Sequence, residues 1–268
     1  MPELPEVETT KNGLEHLLTN KTITNVVIRN PNLRWTLDQS IKSKLINQTI
    51  RSFSRRGKYI LFNLDKGHLM IHLGMSGKIN VADKNEPPKK HDHFLLYFDH
   101  ELMHFNDPRR FGSIFYLRDL NHKLLNNLGV EPLEDSFHKN YLFENSRSKT
   151  QNVKTFIMDS KIVVGIGNIY ACESLFKAGI NPKSKANKIS KHRYINLTEN
   201  IKKVLNKAIK AGGTTLQDFA KIDGNPGYFS QELSVYAREN KNCYNCDGKI
   251  KRIIQNQRST FYCPKCQK

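Results

Sequence analysis

The spacing of apolar residues divides the chain into a β-rich first half and a helical second half. Apolar residues at helical spacing predict one helix over 5–18, which Pro5 in the first turn and Glu6 near the positive helix end both favour. From 22 to 117, short runs of β-branched and aromatic residues alternate with turn residues, a pattern typical of a sandwich or barrel. The predicted strands are Ile23–Arg29, Tyr59–Leu64, His68–Met75, Lys78–Ala82, Phe94–Asp99, Leu102–Asn106 and Ser113–Leu117.

The second half has helical periodicity. Amphipathic helices are predicted over Val153–Ser160, Asn168–Ala178 and Lys191–Ala211, and the last of these should stop at the glycine pair 212–213. The polar tract 131–152 before them is predicted to connect two domains. The chain is therefore expected to have an α+β fold with two domains.

The charge of the chain is strongly positive. The sequence has 43 Lys and Arg against 25 Asp and Glu, a net charge of +18. A surface of this kind attracts polyanions, so DNA or RNA is the expected partner. A Lys-rich proteome could explain part of the excess.

Four cysteines form two C-x2-C pairs, Cys243 with Cys246 and Cys263 with Cys266. Their spacing predicts a tetrahedral zinc site, although two redox-active dithiols would have the same pattern. Because four thiolates leave no open position for a substrate, the metal should be structural. Cys172 lies apart in a predicted helix.

The segment between the cysteine pairs, 249–262, is predicted to form a β-hairpin with Arg258 near its tip. A guanidinium in this position could reach a phosphate group.

The residues at the start of the chain could form a nucleophile. Removal of Met1 would leave Pro2 with a free secondary amine close to the carboxylates of Glu3 and Glu6. An α-amine has a pKa of about 7.7–8, so part of it is neutral near neutral pH. Such an amine can attack a sugar C1′ and form an iminium, as a lysine does in a Schiff base. The alternative is an ordinary helix start with acidic residues that favour the helix dipole.

Three other segments are ambiguous. Residues 55–58 (Arg-Arg-Gly-Lys) could be a solvated charged turn, and 89–93 (Lys-Lys-His-Asp-His) fits a phosphate contact better than a metal site. Residues 165–168 (Gly-Ile-Gly-Asn) lack the third glycine of a dinucleotide motif, but they place backbone amides at a helix start, where anions bind.

Signals for export or membrane insertion are missing from this sequence. It has neither a basic segment followed by an apolar run nor an apolar stretch of about 18 residues. Together with the cysteine usage, this predicts a cytoplasmic location.

Several motifs in order give the chain a close resemblance to the bacterial formamidopyrimidine-DNA glycosylases. The resemblance runs through the whole chain, and its motifs are PELPEVET, RRGKY, HLGMSG, KHDH, DPRRFG, VVGIGNIYACESLF, AGGTTLQDF, DGNPGYFSQEL and STFYCPKCQK.

The resemblance implies the catalytic residues. Pro2 would be the nucleophile and Glu3 the acid that protonates the sugar ring oxygen, with Glu6 supporting both. Lys58 would be the general acid/base of β-elimination, and Arg258 would serve δ-elimination.

The resemblance also implies the DNA contacts. An everted nucleotide leaves a void in the duplex, which the family fills with three side chains. The same match places phosphate and DNA contacts on both domains. It also implies that residues 214–228 form a flexible loop over the everted base. The void-filling residues are Met75, Arg109 and Phe111, and the other contacts are His91, Lys149 and Asn168. For Met75 and Phe111, core packing is the alternative.

The fold implied is an N-terminal antiparallel β-sandwich with flanking helices, followed by a helical domain with a helix–two-turns–helix motif and a four-cysteine zinc finger. DNA would lie between the domains. One structural Zn²⁺ and no organic cofactor are expected, with duplex DNA carrying oxidised bases as partner and a monomer as the active form. The expected limits are 1–130 for the catalytic domain, 131–152 for the linker, 153–230 for the helical domain and 231–268 for the finger.

Three functions are compatible with these features. The first is a bifunctional DNA glycosylase and AP lyase of base excision repair, acting on 8-oxoguanine and formamidopyrimidines by β,δ-elimination. The second is the endonuclease VIII branch, which removes oxidised pyrimidines but typically has Gly where this chain has Leu4. The third is a non-enzymatic zinc-finger DNA-binding protein, which the intact Pro2, Glu3, Lys58 and Arg258 disfavour.

Overall fold

The computed structural model describes residues 2–213 and 232–268. These residues form two compact units, one of residues 2–126 with 211–213 and the other of residues 127–210 with 232–268. No helix in the described ranges is long and apolar enough to cross a membrane.

The first unit has one long helix and two antiparallel sheets. Helix α1 spans Leu4–Leu18, close to the predicted range, and two short helices, α2 (Ile41–Leu45) and α3 (Lys123–Asn126), were not predicted. In spatial order, one sheet contains β1 (Asn25–Ile28), β6 (Asp92–Tyr97), β7 (Glu101–Asn106) and β5 (Lys78–Asp83), and the other contains β2 (Ile50–Arg56), β3 (Tyr59–Leu64), β4 (His68–His72) and β8 (Ser113–Leu117).

A single apolar core joins the two sheets and α1. Phe62 and Ile71 come from one sheet, Phe94 and Phe105 from the other, and Leu14 from α1; each is fully buried. Because both sheets bury one face in this common core, the first unit is the predicted antiparallel β-sandwich.

Strand β2 was not predicted, because its polar residues resemble a charged turn. A register shift between Ile50 and Ser52 disturbs the regular alternation, so that Ile50 and Phe53, three positions apart, are both buried. A bulge of this kind hides the period-two pattern by which a half-buried strand is recognised in a sequence.

The second unit is mainly helical and ends in a hairpin. The three predicted helices are confirmed, and a further helix lies in the tract 131–152 that was predicted to be a connection. The elements are α4 (Tyr141–Ser146), α5 (Val153–Ile157), α6 (Asn168–Lys177), a 3-10 turn (Ala186–Lys188), α7 (Lys191–Lys210), β9 (Lys251–Gln255) and β10 (Arg258–Tyr262).

A buried carboxylate attaches α6 to the segment that leads into the finger. Glu173 is 2% exposed, and its oxygens accept the backbone N–H groups of Ser234, Val235 and Tyr236 at 2.8, 2.9 and 2.9 Å. A buried carboxylate is stabilised when several donors satisfy it. Glu173 thereby fixes the chain immediately before the first cysteine pair.

Candidate functional site

The first candidate group lies at the start of α1. Glu3 is the N-cap residue, and it forms a reciprocal capping box with Glu6: Glu6 Oε2 accepts from Glu3 N at 2.8 Å, and the Glu3 side chain accepts from the backbone of Glu6. Both carboxylates are 2% exposed, and Pro2 is buried beside them. The helix start therefore holds two buried carboxylates next to the proline.

Lys58 lies in the two-residue turn between β2 and β3. Gly57 precedes it with a φ of 57°, the left-handed region that glycine adopts at no steric cost. The turn reverses the chain, so that Arg56 at the end of β2 pairs with Tyr59 at the start of β3. The Lys58 side chain is half-buried.

His72, at the end of β4, lies close to the same turn, and no motif in the sequence marks it as a site residue. Its ring centroid is 4.9 Å from that of Tyr59, and its Nδ1 accepts the backbone N–H of Gly74 at 2.9 Å, which places the proton on Nε2. Burial, followed by the positive charges of Lys58 and Arg34, lowers the pKa of His72 to about 4. The imidazole is therefore neutral at physiological pH.

Two loops that carry the predicted void-filling residues are joined by the buried carboxylate of Asp107. Its Oδ1 accepts from Ser76 Oγ at 2.7 Å, and its Oδ2 accepts from Gly112 N at 2.7 Å. Ser76 Oγ in turn accepts from Arg109 N at 3.2 Å. The loop after β4 and the loop before β8 are thus one hydrogen-bonded structure.

The three predicted void-filling side chains emerge from these joined loops. Phe111 is 43% exposed, and the Arg109 guanidinium carbon lies 5.0 Å from its ring centroid, while Met75 is half-buried. Gly74, with a φ of 66°, allows the close approach: a Cβ there would lie 2.4 Å from the backbone carbon of Phe111. A large exposed phenyl ring on a rigid loop suits insertion into a stack of bases.

The 91–93 motif is mostly structural. Asp92 is buried and accepts from His104 Nδ1 at 2.9 Å, and His93 Nε2 lies 2.9 Å from the carbonyl oxygen of Asp107. His91 is half-buried, and its carbonyl accepts from Asp107 N at 3.0 Å. Of the two histidines, His91 is the less buried, and within the described ranges neither belongs to a cluster of three potential metal ligands.

In the second unit, Asn168 begins α6 and binds the hairpin. Its Nδ2 donates to the carbonyl of Ser259 at 2.8 Å, and its Oδ1 accepts from Lys154 Nζ at 2.5 Å. Lys154 is 1% exposed and also donates to Thr260 Oγ1 at 2.7 Å. No sequence pattern singles out Lys154, because a lysine in an amphipathic helix is usually exposed.

Arg258 is exposed at the first position of β10, directly after the turn of Asn256 and Gln257, whose φ values are 46° and 59°. The predicted hairpin, with Arg258 near its tip, is confirmed. Beside the tip lies a cavity of about 280 Å³, lined by Gln151, Lys154, Thr155, Asp159, Asn256 and Arg258 among others.

Lys149 follows α4, and its side chain is half-buried. Its backbone is held on both sides: Lys149 N donates to Ser146 O at 2.8 Å, and Lys149 O accepts from Asn187 N at 3.0 Å. The predicted base-covering segment 214–228 lies outside the described residues.

The four cysteine sulfur atoms converge. All lie within 4.8 Å of one another, and three of their separations are 3.5–3.8 Å. Ligands at 2.3 Å from a tetrahedral zinc are separated by about 3.8 Å. The sulfur atoms also accept backbone N–H groups, from Asn245 to Cys243 at 3.4 Å and from Gly248 to Cys246 at 3.3 Å.

The chemistry of these thiols fits a cation. Burial, followed by hydrogen bonds to the three neighbouring sulfur atoms and by repulsion from Cys243, raises the pKa of Cys266. A divalent ion removes that penalty and favours four thiolates. The cluster is a structural zinc site, and Cys172, buried in the adjacent apolar cluster, is outside it.

Comparison with known proteins identifies the family. Three family models match: the formamidopyrimidine-DNA glycosylase N-terminal domain over residues 1–114, its H2TH domain over 128–220, and the zinc finger found in FPG and IleRS over 241–268. The chain is similar to the formamidopyrimidine-DNA glycosylases of Ruthia magnifica, with 58% identity, and Idiomarina loihiensis, with 50% identity, each over 100% of both chains. The chain belongs to the formamidopyrimidine-DNA glycosylase family, a family of DNA glycosylases and AP lyases.

Solved structures agree with this assignment. The Lactococcus lactis enzyme in complex with an abasic site containing DNA has a TM-score of 0.93 and 32% identity, covering 99% of each chain. MutM in complex with carbocyclic 8-oxo-G containing DNA has a TM-score of 0.92 and 32% identity, covering 100% of each chain. The predicted fold class is confirmed.

Loss of one zinc ligand should remove the metal. Cys246→Ser should abolish zinc binding and unfold the hairpin, because a structural site and its surrounding fold form together. Zinc per chain by atomic absorption and hairpin signals by NMR measure this. Cys172→Ser, the matched control outside the cluster, should keep one zinc; a folded wild-type chain without zinc would contradict the prediction.

The neutral state of His72 should make stability depend on pH. Because its folded pKa of about 4 lies below the ordinary histidine value of 6.5, the neutral imidazole's contribution to stability is complete above pH 6.5 and is lost as pH falls towards 4, by about 3 kcal/mol in all. Urea unfolding across this window should show a shallower decline for His72→Gln. His100→Gln, at an exposed turn, is the control; parallel curves for wild type and His72→Gln would refute the prediction.

Proposed function

We propose that this chain is a bifunctional DNA glycosylase and AP lyase that removes 8-oxoguanine and formamidopyrimidines from duplex DNA and then cleaves the strand by β,δ-elimination. Membership of the family supports the reaction class, and similar proteins crystallised with a Fapy-dG containing DNA and with an 8-oxo-G containing DNA support the lesions. The net charge of +18 supports a polyanionic partner.

One observation carries this proposal: Pro2 directly precedes the buried pair Glu3 and Glu6 at the start of α1. With Met1 removed, Pro2 would carry a secondary amine at the positive end of a 15-residue helix. An α-amine has a pKa of about 7.7–8, so part of it is neutral and nucleophilic near neutral pH.

The first step is covalent. The Pro2 nitrogen attacks C1′, the bond from C1′ to the base breaks, and the proton that the nitrogen loses neutralises the departing base. Glu3 gives a proton to the sugar ring oxygen, the ring opens, and an iminium forms between Pro2 and C1′. Glu6 supports this arrangement because its carboxylate holds the backbone N–H of Glu3 at 2.8 Å.

Strand cleavage follows from the iminium. It makes the C2′ hydrogen acidic, so that a base can remove it and the 3′ phosphate can leave. We assign this acid–base role to Lys58 and the later δ-elimination at the 5′ side to Arg258, which is exposed at the hairpin tip. Hydrolysis of the iminium then frees Pro2.

Eversion of the damaged nucleotide costs a few kcal/mol of stacking energy. We assign compensation of this cost to Met75, Arg109 and Phe111, whose loops Asp107 joins. His91, Lys149 and Asn168 would contact phosphates or nearby DNA. The predicted domain limits, the monomeric state and the cytoplasmic, nucleoid-associated location are part of the same proposal.

The nucleophile can be tested by covalent trapping. Borohydride should fix the protein to 8-oxoguanine duplex, and peptide mapping should place the adduct at Pro2. Glu3→Gln should slow base excision by about 10²–10⁴-fold and abasic-site cleavage much less, since an abasic sugar can open unaided. Pro2→Gly should lose most excision.

Two controls separate chemistry from folding. Glu3→Gln retains an oxygen that can accept the Glu6 N–H, so the helix cap persists, and Glu15→Gln on the exposed part of α1 should be fully active. An adduct at Lys58, or full activity with Met1 retained, would overturn the mechanism.

The wedge role of Phe111 predicts a dependence on substrate. Phe111→Ala should slow excision from a fully paired lesion duplex by about 5- to 30-fold, since loss of the inserted ring costs about 1–2 kcal/mol. A lesion opposite a gap, which needs little unstacking, should be cut nearly normally in single-turnover assays. Leu120→Ala, at a similarly exposed apolar residue, is the control; an equal loss on both substrates would exclude the role.

A further inference from the structure

We propose that Arg55 is a positioning residue for the lyase reaction, holding the turn that carries Lys58 against the helix that carries Pro2 and Glu3. This inference rests on the roles proposed above for those three residues. In a chain of net charge +18, an arginine in the 55–58 segment would ordinarily be assigned to a DNA phosphate. Two hydrogen bonds of Arg55 are instead made within the protein, to Glu8 and to Gly57.

At one end, Arg55 fixes the turn. Its Nη1 donates to the carbonyl oxygen of Gly57 at 2.8 Å. This oxygen belongs to the peptide group whose nitrogen is that of Lys58, and a peptide group is planar. Holding the oxygen therefore sets the plane from which the Lys58 backbone and side chain extend.

At the other end, Arg55 reaches α1. Its Nε donates to Glu8 Oε2 at 2.6 Å, and Glu8 lies little more than one turn from the Glu3 cap. Lys11 Nζ lies 3.4 Å from the other oxygen of Glu8 and holds the carboxylate from the opposite side. One guanidinium thus spans the turn and the helix.

The environment makes this link stiff. The side chains of Arg55 and Glu8 are only 10% and 22% exposed, so solvent and salt screen the pair less than a surface pair. The guanidinium is planar and presents its N–H groups in a fixed fork, so the two bonds constrain each other. A lysine has a single ammonium on a flexible stem and cannot reproduce this geometry.

The same strand offers a matched comparison. Arg51 also donates through Nε to a carboxylate, Asp65 Oδ1, at 2.6 Å, but its side chain is 59% exposed. The two arginines share strand, chemistry and bond length. They differ in burial and in the elements that they join. The Arg51→Lys variant therefore shows the effect on activity of losing a guanidinium from this strand without disturbing the link to α1.

The test measures strand cleavage at a preformed abasic site, which requires no base excision. Arg55→Lys should lower the single-turnover rate by about ten- to a hundredfold, the usual effect of a misplaced catalytic group, with the Kd for abasic duplex within about twofold. Arg51→Lys should match wild type. Glu8→Gln, which can still accept from Arg55 Nε, should retain more activity than Glu8→Ala, and thermal melts exclude unfolding in each case.

A double-mutant cycle with Lys58 shows whether the rate loss caused by Arg55→Lys arises through Lys58. If Arg55 acts through Lys58, Arg55→Lys should cause no further loss in a Lys58→Ala background. A full additional loss there, a rate unchanged by Arg55→Lys, or a loss explained by weaker DNA binding would overturn the inference alone. If the Lys58→Ala variant cleaved abasic DNA at the wild-type rate, the proposed role of Lys58 would be overturned, and Arg55 could not act through it.

Discussion

The buried carboxylate of Asp107 is the interaction on which the first unit's candidate DNA-contacting surface depends. Its side chain joins Ser76 to Gly112, and its backbone binds His91 and His93. Three separate sequence motifs therefore meet at one residue. Because a carboxylate this deeply buried requires several donors to offset its desolvation, the loops can hold their shape only together. The exposed side chains on them inherit that rigidity.

The second unit uses buried polar groups in the same way. Lys154 connects α5 to Asn168 at the start of α6 and to Thr260 in the hairpin, and Glu173 fixes the chain that enters the finger. The thiolate cluster then closes the finger around a metal ion. In both units, a small number of buried charges determines where exposed residues such as Arg258 lie. This arrangement makes the site sensitive to substitutions that never touch a substrate.

The positive charge of the chain consequently has two uses. Arg109 and Arg258 are exposed and available to an anionic partner, whereas Arg55 and Lys154 form hydrogen bonds within the protein. Composition cannot separate these uses, because it counts all cations alike. Burial does separate them: a guanidinium or ammonium removed from water must be paired within the protein, so its neighbours identify its role.

The sequence by itself determined the sandwich and helical halves, most element limits, the zinc site and the family, because these follow from local periodicity, cysteine spacing and motif order. It missed β2, where a bulge between Ile50 and Ser52 hides the alternation. It also missed the low pKa of His72 and the linking roles of Asp107 and Lys154. Only the tertiary structure decided these features, since each depends on burial and on partners distant in the chain, which local pattern does not encode.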